Sequence, residues 1–426
     1  MQNDVSHKRL RWLGAAWVAF LGPWFFLVYG WCNHVTSKRT DVGVAAWDWE
    51  KHIPFIPEFI VPYMSLDLFF VLAFFLPKSQ QELTLLGKRV FSVITLSALC
   101  FLLFPLQFAY PRPSPTDWTG PWFRVLHMND LPFNMAPSLH ISQRCLLWIT
   151  FGRHLTGMTR TAARNWFILI GISTLVTWQH HFLDVVTGFL MAYAIMALLP
   201  DPVTQPNFIG DKSAARPLAK RYGAAALACA CAALPGGGWL WFGWPAIALG
   251  LTALAYFTGS TRWLQKSSGT PSPAAEWIFL PVTLVARAWQ SRWLGRKPAY
   301  LELTPGVFFG RILSQKEAKA FLAEHPGLTV IDLTAETKEA TAFREGANYI
   351  SLPVLDLTPP PPEVLEKAVE AIREYSAKGP VYVHCLLGIG RTAHVAGAWL
   401  AATGKSADFA EGKACYSRSL SALHTP

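Results

Sequence analysis

The chain has 426 residues, of which 52% are hydrophobic and only 15% are charged, and its mean hydropathy is +0.27. Since a soluble protein carries about 25% charged residues, this composition excludes both a disordered chain and a soluble enzyme from end to end. The seven cysteines show no paired spacing, so they do not indicate a disulfide framework.

The charge is divided unevenly along the chain. Residues 301–426 contain 12 Lys and Arg against 14 Asp and Glu, a net charge of −2, whereas residues 1–300 carry +12. The basic residues of the first part lie between apolar runs and form no continuous stripe, so they do not indicate nucleic-acid binding. The sequence therefore predicts a basic, apolar part joined to a polar, nearly neutral part.

Eight apolar runs in the first part approach the roughly 20 residues that a transmembrane helix needs. They are Leu13–Trp31, Phe55–Leu76, Val90–Tyr110, Ala136–Phe151, Trp166–Gln179, Phe182–Leu199, Tyr222–Leu234 and Trp239–Phe257. With the N-terminus in the cytoplasm, the cytoplasmic segments carry 19 Lys and Arg and the opposite loops only 5. This asymmetry predicts a multi-pass integral membrane protein, which would lie in the cytoplasmic (inner) membrane if its source is a bacterium, with its N-terminus and polar C-terminal part in the cytoplasm.

The composition suggests four parts. Residues 1–200 form a six-span membrane domain, and residues 201–258 add two further transmembrane helices that turn at Pro235–Gly238. Residues 259–297 read as a Ser-, Gly- and Pro-rich linker followed by an amphipathic helix, which either lies at the membrane surface or caps the next domain. Residues 298–426 are expected to form a cytoplasmic domain.

Three polar clusters fall at the outer ends of the spans, where ionisable residues are costly and suggest function. They contain Arg112, His140 and the pair His180 and Asp184. Asp184, four residues after His180, can orient the imidazole on one helix face, so that His180 attacks phosphorus. His140 can protonate the leaving oxygen, and arginines can hold the phosphate oxygens.

These clusters resemble the three motifs of the type 2 phosphatidic acid phosphatase superfamily. The matching segments are Arg112-Pro113, Pro137-Ser138-Leu139-His140, and Ser173 with His180 and Asp184. The Pro-Ser-Leu-His form is most similar to the inositol phosphorylceramide synthase branch. The resemblance implies that His140 is the proton donor, that His180 is the nucleophile and that Asp184 supports it.

This chain departs from the family pattern at two phosphate-binding cations. Pro105 stands where the family has Lys, and Thr174 stands where it has Arg. Arg144, one turn beyond His140, and Arg124 are candidate replacements beside Arg112. The resemblance implies either hydrolysis of a lipid phosphate or, as the alternative, transfer of a phospho-headgroup to an alcohol.

From about residue 299 the pattern changes to alternating strands and helices, which predicts a small α/β domain. The expected strands are Val307–Gly310, Leu328–Leu333, Tyr349–Leu355 and Val381–His384, and the expected helices are 314–324, 359–377 and Arg391–Ala402. About 126 residues are enough for one small hydrophobic core.

The turn between the last strand and the last helix carries the clearest chemistry. It reads His384-Cys385-Leu386-Leu387-Gly388-Ile389-Gly390-Arg391-Thr392. The backbone N–H groups and the helix dipole form an anion site that favours the thiolate of Cys385. Gly388 and Gly390 allow the backbone to curl around phosphate, Arg391 offers a bidentate fork, and Thr392 can hydrogen-bond the sulfur.

This turn resembles the signature of the dual-specificity and tyrosine phosphatase superfamily. The resemblance implies a cysteinyl-phosphate on Cys385 and an upstream aspartate as general acid. Asp356, 29 residues before the cysteine, fits that position, and Asp332 is the weaker alternative. Leu386 and Leu387 replace the basic residues that phosphoinositide-specific relatives carry in this loop, which disfavours a polyphosphorylated head group.

The sequence thus predicts a bifunctional membrane phosphatase that acts on lipid phosphates and contacts the membrane but not nucleic acid. Neither resemblance implies a metal or another cofactor. Two rival readings stay open: the cytoplasmic domain could act on phosphoproteins, or the chain could be a transporter or lipid-binding scaffold with degenerate sites.

Overall fold

A computed structural model describes residues 7–201, 206–234, 237–294 and 299–422. The chain divides into two compact units, Met1–Pro200 and Asp201–Pro426. Each unit builds its own hydrophobic core.

The described part of the first unit consists of α-helices joined by loops. They are α1 (His7–Thr36), α2 (Ile60–Ala73), α3 (Gln80–Leu103), α4 (Gly120–Asn129), α5 (Leu139–His154), α6 (Gly157–Val176) and α7 (Phe182–Leu198). Six of them overlap the six predicted spans, whereas α4 forms inside a segment expected to be a loop.

Among the described helices, α1 and α3 are long and apolar enough to cross a membrane, and α7 and Gly243–Thr258 are apolar but shorter. The other predicted spans are short or carry more charge. For example, the 16 residues of α5 extend only about 24 Å at a rise of about 1.5 Å per residue, which is less than a bilayer core of about 30 Å. The expected number of eight spans therefore stays a prediction.

A glycine lets α5 and α7 approach closely. A Cβ on Gly188 of α7 would lie 2.8 Å from the carbonyl oxygen of Ser138 and 2.9 Å from Cβ of Ile141. In the same contact the hydroxyl of Ser142 donates to the Gly188 carbonyl at 3.0 Å, and the N–H of Ser138 donates to the carbonyl of Asp184 at 3.0 Å. The start of α5 is thereby fixed beside the start of α7.

The second unit begins with α8 (Lys212–Ala233) and α9 (Gly243–Thr258), which pack against each other. The segment expected to be a linker is folded instead: it contains the hairpin β1 (Lys266–Ser267) and β2 (Thr270–Pro271), followed by α10 (Pro273–Ile278). Lys266 of this hairpin is buried.

The expected amphipathic segment contains α11 (Leu280–Leu294). Two predicted features lie outside the described residues: Pro235 and Gly236 of the expected turn, and Arg296 and Lys297 of the amphipathic segment.

The α/β prediction for the C-terminal part is confirmed. Its strands are β3 (Tyr300–Thr304), β4 (Val307–Arg311), β5 (Thr329–Thr334), β6 (Asn348–Val354) and β7 (Val381–Cys385), in the order β3-β4-β7-β5-β6. Only β3 is antiparallel to its neighbour. The helices are α12 (Gln315–Glu324), α13 (Thr341–Gly346), α14 (Pro362–Ser376), α15 (Arg391–Ala402) and α16 (Phe409–Ala422). The strand β3 and the helices α13 and α16 were not expected.

Side chains of the central strand β7 alternate between two apolar clusters. Val381 and Val383 point into one cluster, and Tyr382 points into the other. This alternation is the period of two that a strand buried on both faces requires. Because β7 lies at the centre of the parallel strands, Cys385 is placed at their carboxyl edge, where α/β sheets bind ligands.

Candidate functional site

The loop between β7 and α15 has the sharp curvature that the sequence predicts. Gly388 has φ of +72°, a conformation that favours glycine. A Cβ at this position would lie 2.8 Å from the carbonyl carbon of Gly310. The hydroxyl of Tyr416 on α16 donates to the Gly388 carbonyl at 2.7 Å and fixes the loop. Gly390 is the N-cap of α15, and a Cβ there would meet no atom within 4 Å.

Cys385 and Arg391 lie at the two ends of this loop, and both are buried. The guanidinium of Arg391 donates to both carboxylate oxygens of Glu336, at 2.7 and 3.0 Å, and to Asp356 at 2.8 Å. Burial alone would lower the pKa of Arg391, but the two carboxylates raise it well above its usual value. The predicted phosphate-binding arginine is therefore charged and held in a defined orientation.

Sequence reasoning missed Glu336 as a site residue. Glu336 follows β5, and Asp356 follows β6, so both carboxylates lie at the carboxyl edge of neighbouring parallel strands. That shared edge is the signal that could have identified Glu336 from the strand prediction.

Asp356, the predicted general acid, contacts Arg391 and is part of the site. Burial raises the pKa of Asp356, and the neighbouring Glu336 adds to this effect, while Arg391 opposes it. A carboxyl group with a raised pKa keeps its proton to a higher pH, as a general acid requires. The hydroxyl of Tyr256 on α9 donates to the Asp356 carbonyl at 3.0 Å, so α9 holds the loop that carries this acid.

Two other predicted residues have different partners from those expected. The hydroxyl of Thr392 donates to the carbonyl of Gly310 at 3.2 Å, rather than to the cysteine sulfur. Asp332, the alternative general acid, is buried and contacts Lys266 and Tyr349 at 2.5 and 2.6 Å. Its carboxylate belongs to a buried ion pair and not to the Arg391 cluster.

A buried charged network lies around His384. Its Nε2 lies 2.9 Å from Oε2 of Glu339; burial alone would lower the pKa of His384, but Glu339 raises it. Asp332, Glu339 and His384 lie close enough to hold a metal ion. However, the ammonium of Lys266 is already 2.5 Å from Asp332, so a lysine supplies positive charge within this cluster.

In the first unit the structure brings together His140, His180 and Asp184. Nδ1 of His180 lies 3.3 Å from Oδ2 of Asp184, and the imidazole rings of His140 and His180 are 6.5 Å apart. His180 precedes α7 instead of lying on it, so the expected one-helix geometry is wrong in this detail. Asp184 still reaches Nδ1 of His180 because its carboxylate caps the helix by accepting from the N–H of His181 at 2.8 Å.

His140, Arg112 and Arg144 have protein partners in this unit, whereas Arg124, the third candidate arginine, is exposed on α4. Nε2 of His140 lies 3.2 Å from the carbonyl oxygen of Tyr63, and the two rings stack with centroids 3.9 Å apart. Arg112 donates to the carbonyls of Asp130 and Leu131. Arg144 donates to the carbonyl of Phe167 on α6. In the structure, Arg112 and Arg144 are thus each bonded to backbone carbonyl groups.

Glu50 is a second residue next to a candidate site that the sequence did not indicate. It is buried, and its Oε2 accepts from Nδ1 of His181 at 2.9 Å and from the N–H of Phe182 at 3.0 Å. Since Nε2 of His181 accepts from the N–H of Ala109 at 2.9 Å, the proton of this imidazole lies on Nδ1. His181 thus anchors the loop beside His180.

Comparison with known proteins assigns the C-terminal region. Residues 307–405 match a family model described as "Polymorphic toxin system, DSP-PTPase phosphatase". No curated protein matches the whole chain or a part of it.

Two solved structures are similar to part of the chain. Tk-PTP in its active form is 23% identical, with 28% of this chain and 84% of that protein covered and a TM-score of 0.26. Human DUSP28 is 22% identical, with 30% and 85% covered and a TM-score of 0.23. The family match and the geometry of the Cys385 loop agree: residues 307–405 are similar to DSP-PTPase phosphatases, and the chain is a phosphatase.

Proposed function

We propose that the C-terminal domain hydrolyses phosphomonoesters through a cysteinyl-phosphate on Cys385. The proposal rests on the loop from Cys385 to Arg391 and on the position of Asp356, whose Oδ1 lies 2.8 Å from Nη2 of Arg391. Cys385, Arg391 and Asp356, to which we assign the roles of nucleophile, phosphate-binding group and proton donor, lie at or just after the carboxyl ends of β6 and β7. This is the set of groups that phosphate transfer to a thiolate needs.

Each group has a defined part in the two steps. The thiolate of Cys385 attacks phosphorus while Arg391 holds two phosphate oxygens, and Asp356 gives its proton to the leaving alkoxide. Water then attacks the cysteinyl-phosphate, Asp356 takes a proton from it, and the thiolate leaves with inorganic phosphate formed. Binding of phosphate replaces the Arg391–Asp356 contact, while Glu336 keeps the guanidinium oriented.

Hydrolysis of p-nitrophenyl phosphate by the full chain tests this proposal. We expect Cys385→Ser to abolish turnover, because a serine hydroxyl is protonated at neutral pH. Cys415→Ser is the matched control, since Cys415 lies on α16 and is no part of the loop. Full activity of Cys385→Ser, or an equal loss in both variants, would contradict the proposal.

We propose a second, histidine-dependent activity for the first unit: hydrolysis of a lipid phosphate at a membrane. The contact of His180 with Asp184 supports it, because hydrogen bonding at Nδ1 leaves Nε2 as the attacking nitrogen. The ring of His140, 6.5 Å away, could serve as proton donor. Headgroup transfer is the alternative, in which an alcohol instead of water attacks the phosphohistidine.

Product analysis separates these two reactions. In a Cys385→Ser background, radiolabelled phosphatidic acid should release inorganic phosphate if water attacks, and should give a new phosphodiester if an alcohol attacks. His180→Ala should abolish either product, whereas His34→Ala, an exposed histidine on α1, should not. Membrane insertion with both termini in the cytoplasm is part of this proposal, supported by the apolar helices α1 and α3.

A further inference from the structure

A cleft of about 430 Å³ opens next to the Cys385 loop, within the second unit. One end is formed by Asp356 and Leu386, the residue that directly follows Cys385. From there the cleft runs between α9, α10 and α11. Its volume is within the range of about 300–1,000 Å³ that is usual for sites of small ligands.

The lining of the cleft is largely apolar away from the catalytic end. It includes Leu264, Phe279, Leu280, Val282 and Ala286. An extended peptide placed there would bury backbone N–H and C=O groups without partners, which is costly. A hydrocarbon chain has no such groups and gains free energy from every methylene that leaves water.

Several charged side chains that line the cleft already have partners of opposite charge. Glu336 and Asp356 contact Arg391, and Lys338 lies 2.5 Å from Glu276. Arg287 on α11 is the remaining cation of the lining, and no acidic partner is found for it among the described residues. A single arginine does not form the cationic cluster that an acidic peptide or a polyphosphorylated head group would require.

The outer surface of the same helices is apolar as well. On α11, Leu284 is 54% exposed and Val285 is 71% exposed, and on α9 Phe257 is 65% exposed. Large apolar side chains exposed together are typical of a surface that contacts lipid. A substrate with a hydrocarbon chain can reach the cleft from such a lipid surface.

We propose that this cleft binds the hydrocarbon chain of a phosphomonoester whose phosphate lies in the Cys385 loop, so that the substrate of this site is a long-chain lipid monophosphate. This inference rests on the proposed cysteine-dependent hydrolysis and adds the substrate class to it. The phosphate would contact Arg391, and the first carbons of the chain would pass Leu386 and Asp356.

Alkyl phosphates of increasing length test this inference on the full chain carrying His180→Ala, which removes the histidine-dependent activity proposed for the first unit, in detergent at constant concentration. We expect kcat/KM to rise from butyl to dodecyl phosphate, by up to about fourfold for each methylene that becomes buried. Ala286→Trp places an indole in the cleft. It should lower the ratio of kcat/KM for dodecyl phosphate to that for p-nitrophenyl phosphate at least tenfold. Ala288→Trp, the same substitution at an exposed alanine of this helix that does not line the cleft, should leave the ratio unchanged.

The outcomes separate this inference from the proposed function. If p-nitrophenyl phosphate is hydrolysed and Cys385→Ser abolishes that reaction, the proposed function holds whatever the chain-length result. A flat dependence on chain length, or the same ratio in Ala286→Trp and Ala288→Trp, would overturn the lipid assignment. So would a phosphotyrosine peptide that is hydrolysed with a higher kcat/KM than dodecyl phosphate.

Discussion

The Nζ atom of Lys266 lies 2.5 Å from Oδ2 of Asp332, and both side chains are buried. Asp332 is on β5 of the phosphatase sheet, whereas Lys266 is on the β1–β2 hairpin, before the first strand of that sheet. Lys266 also donates to the carbonyl and hydroxyl of Thr334 at 2.7 and 2.6 Å. The phosphatase domain therefore depends on a charge supplied by the preceding segment.

Removal of this charge should destabilise the second unit. Lys266→Met leaves Asp332 buried without its cation, which costs about 3–5 kcal/mol when one partner of a buried pair is lost. We expect a lower unfolding temperature and a parallel loss of p-nitrophenyl phosphate hydrolysis. Both are measurable on the purified chain in detergent.

The matched control is Lys378→Met, which removes the exposed lysine that pairs with Glu374. Exposed pairs contribute little to stability, so this variant should unfold at the wild-type temperature. The double variant Lys266→Met, Asp332→Asn should recover part of the stability, because no unpaired charge then remains. Equal unfolding temperatures for Lys266→Met and Lys378→Met would show that the buried pair contributes nothing.

The contact between Lys266 and Asp332 also predicts which fragments of the second unit are stable. A fragment of residues 299–422 lacks Lys266, and it also lacks Phe208, which packs in the core of the sheet. We expect this fragment to unfold at a lower temperature than a fragment of residues 206–422, and to lose activity with it. Circular dichroism melts of the two fragments in the same detergent measure the difference; identical melting would contradict the prediction.

The sequence predicted the strand, loop and helix around Cys385 because the information for this segment is local. The spacing from Cys385 to Arg391 and the strand and helix on either side are all read within some twenty residues. Strand periodicity also located β4, β5, β6 and β7. It missed β3, a strand of five residues whose apolar run is interrupted by the exposed Glu302.

What the sequence could not give are contacts between distant segments. Glu336 is 55 residues from Arg391 and Lys266 is 66 residues from Asp332, and no local pattern marks either pair. The Ser-, Gly- and Pro-rich composition of residues 258–275 predicted a linker. The same residue types also form the tight turns of a folded hairpin, so composition alone does not separate the two. In the first unit, Glu50 is 131 residues from His181.

Glu336 should act by holding the Arg391 guanidinium in position. Glu336→Gln replaces a charged, bidentate partner with a neutral one. Hydrogen bonds to charged groups contribute about 1.5–3 kcal/mol, so we expect kcat/KM for p-nitrophenyl phosphate to fall about 10- to 100-fold. The inhibition constant of inorganic phosphate should rise in parallel, because both measure oxyanion binding. Glu363→Gln, an exposed carboxylate on α14, is the control, and a similar loss there would refute this role.

Asp356 should determine the activity at high pH. A general acid works only when protonated, so kcat falls as pH rises through the pKa of Asp356, which burial raises. Asp356→Asn cannot donate a proton, and we expect kcat for dodecyl phosphate to fall about 100- to 10,000-fold, without that high-pH decline. p-Nitrophenol leaves without a proton, so its ester should be affected much less. Equal losses for both esters would argue against proton donation by Asp356.

In the first unit, Gly188 should be required for the histidine site because it allows α5 to approach α7. Gly188→Ala forces a Cβ to within 2.8 Å of the Ser138 carbonyl, and such overpacking costs about 1–3 kcal/mol. The displacement should separate His140 from His180 and lower phosphate release from phosphatidic acid in the Cys385→Ser background. Gly22→Ala is the control, because a Cβ on Gly22 of α1 meets no atom within 4 Å. Full activity of Gly188→Ala would mean that this helix contact does not position the histidines.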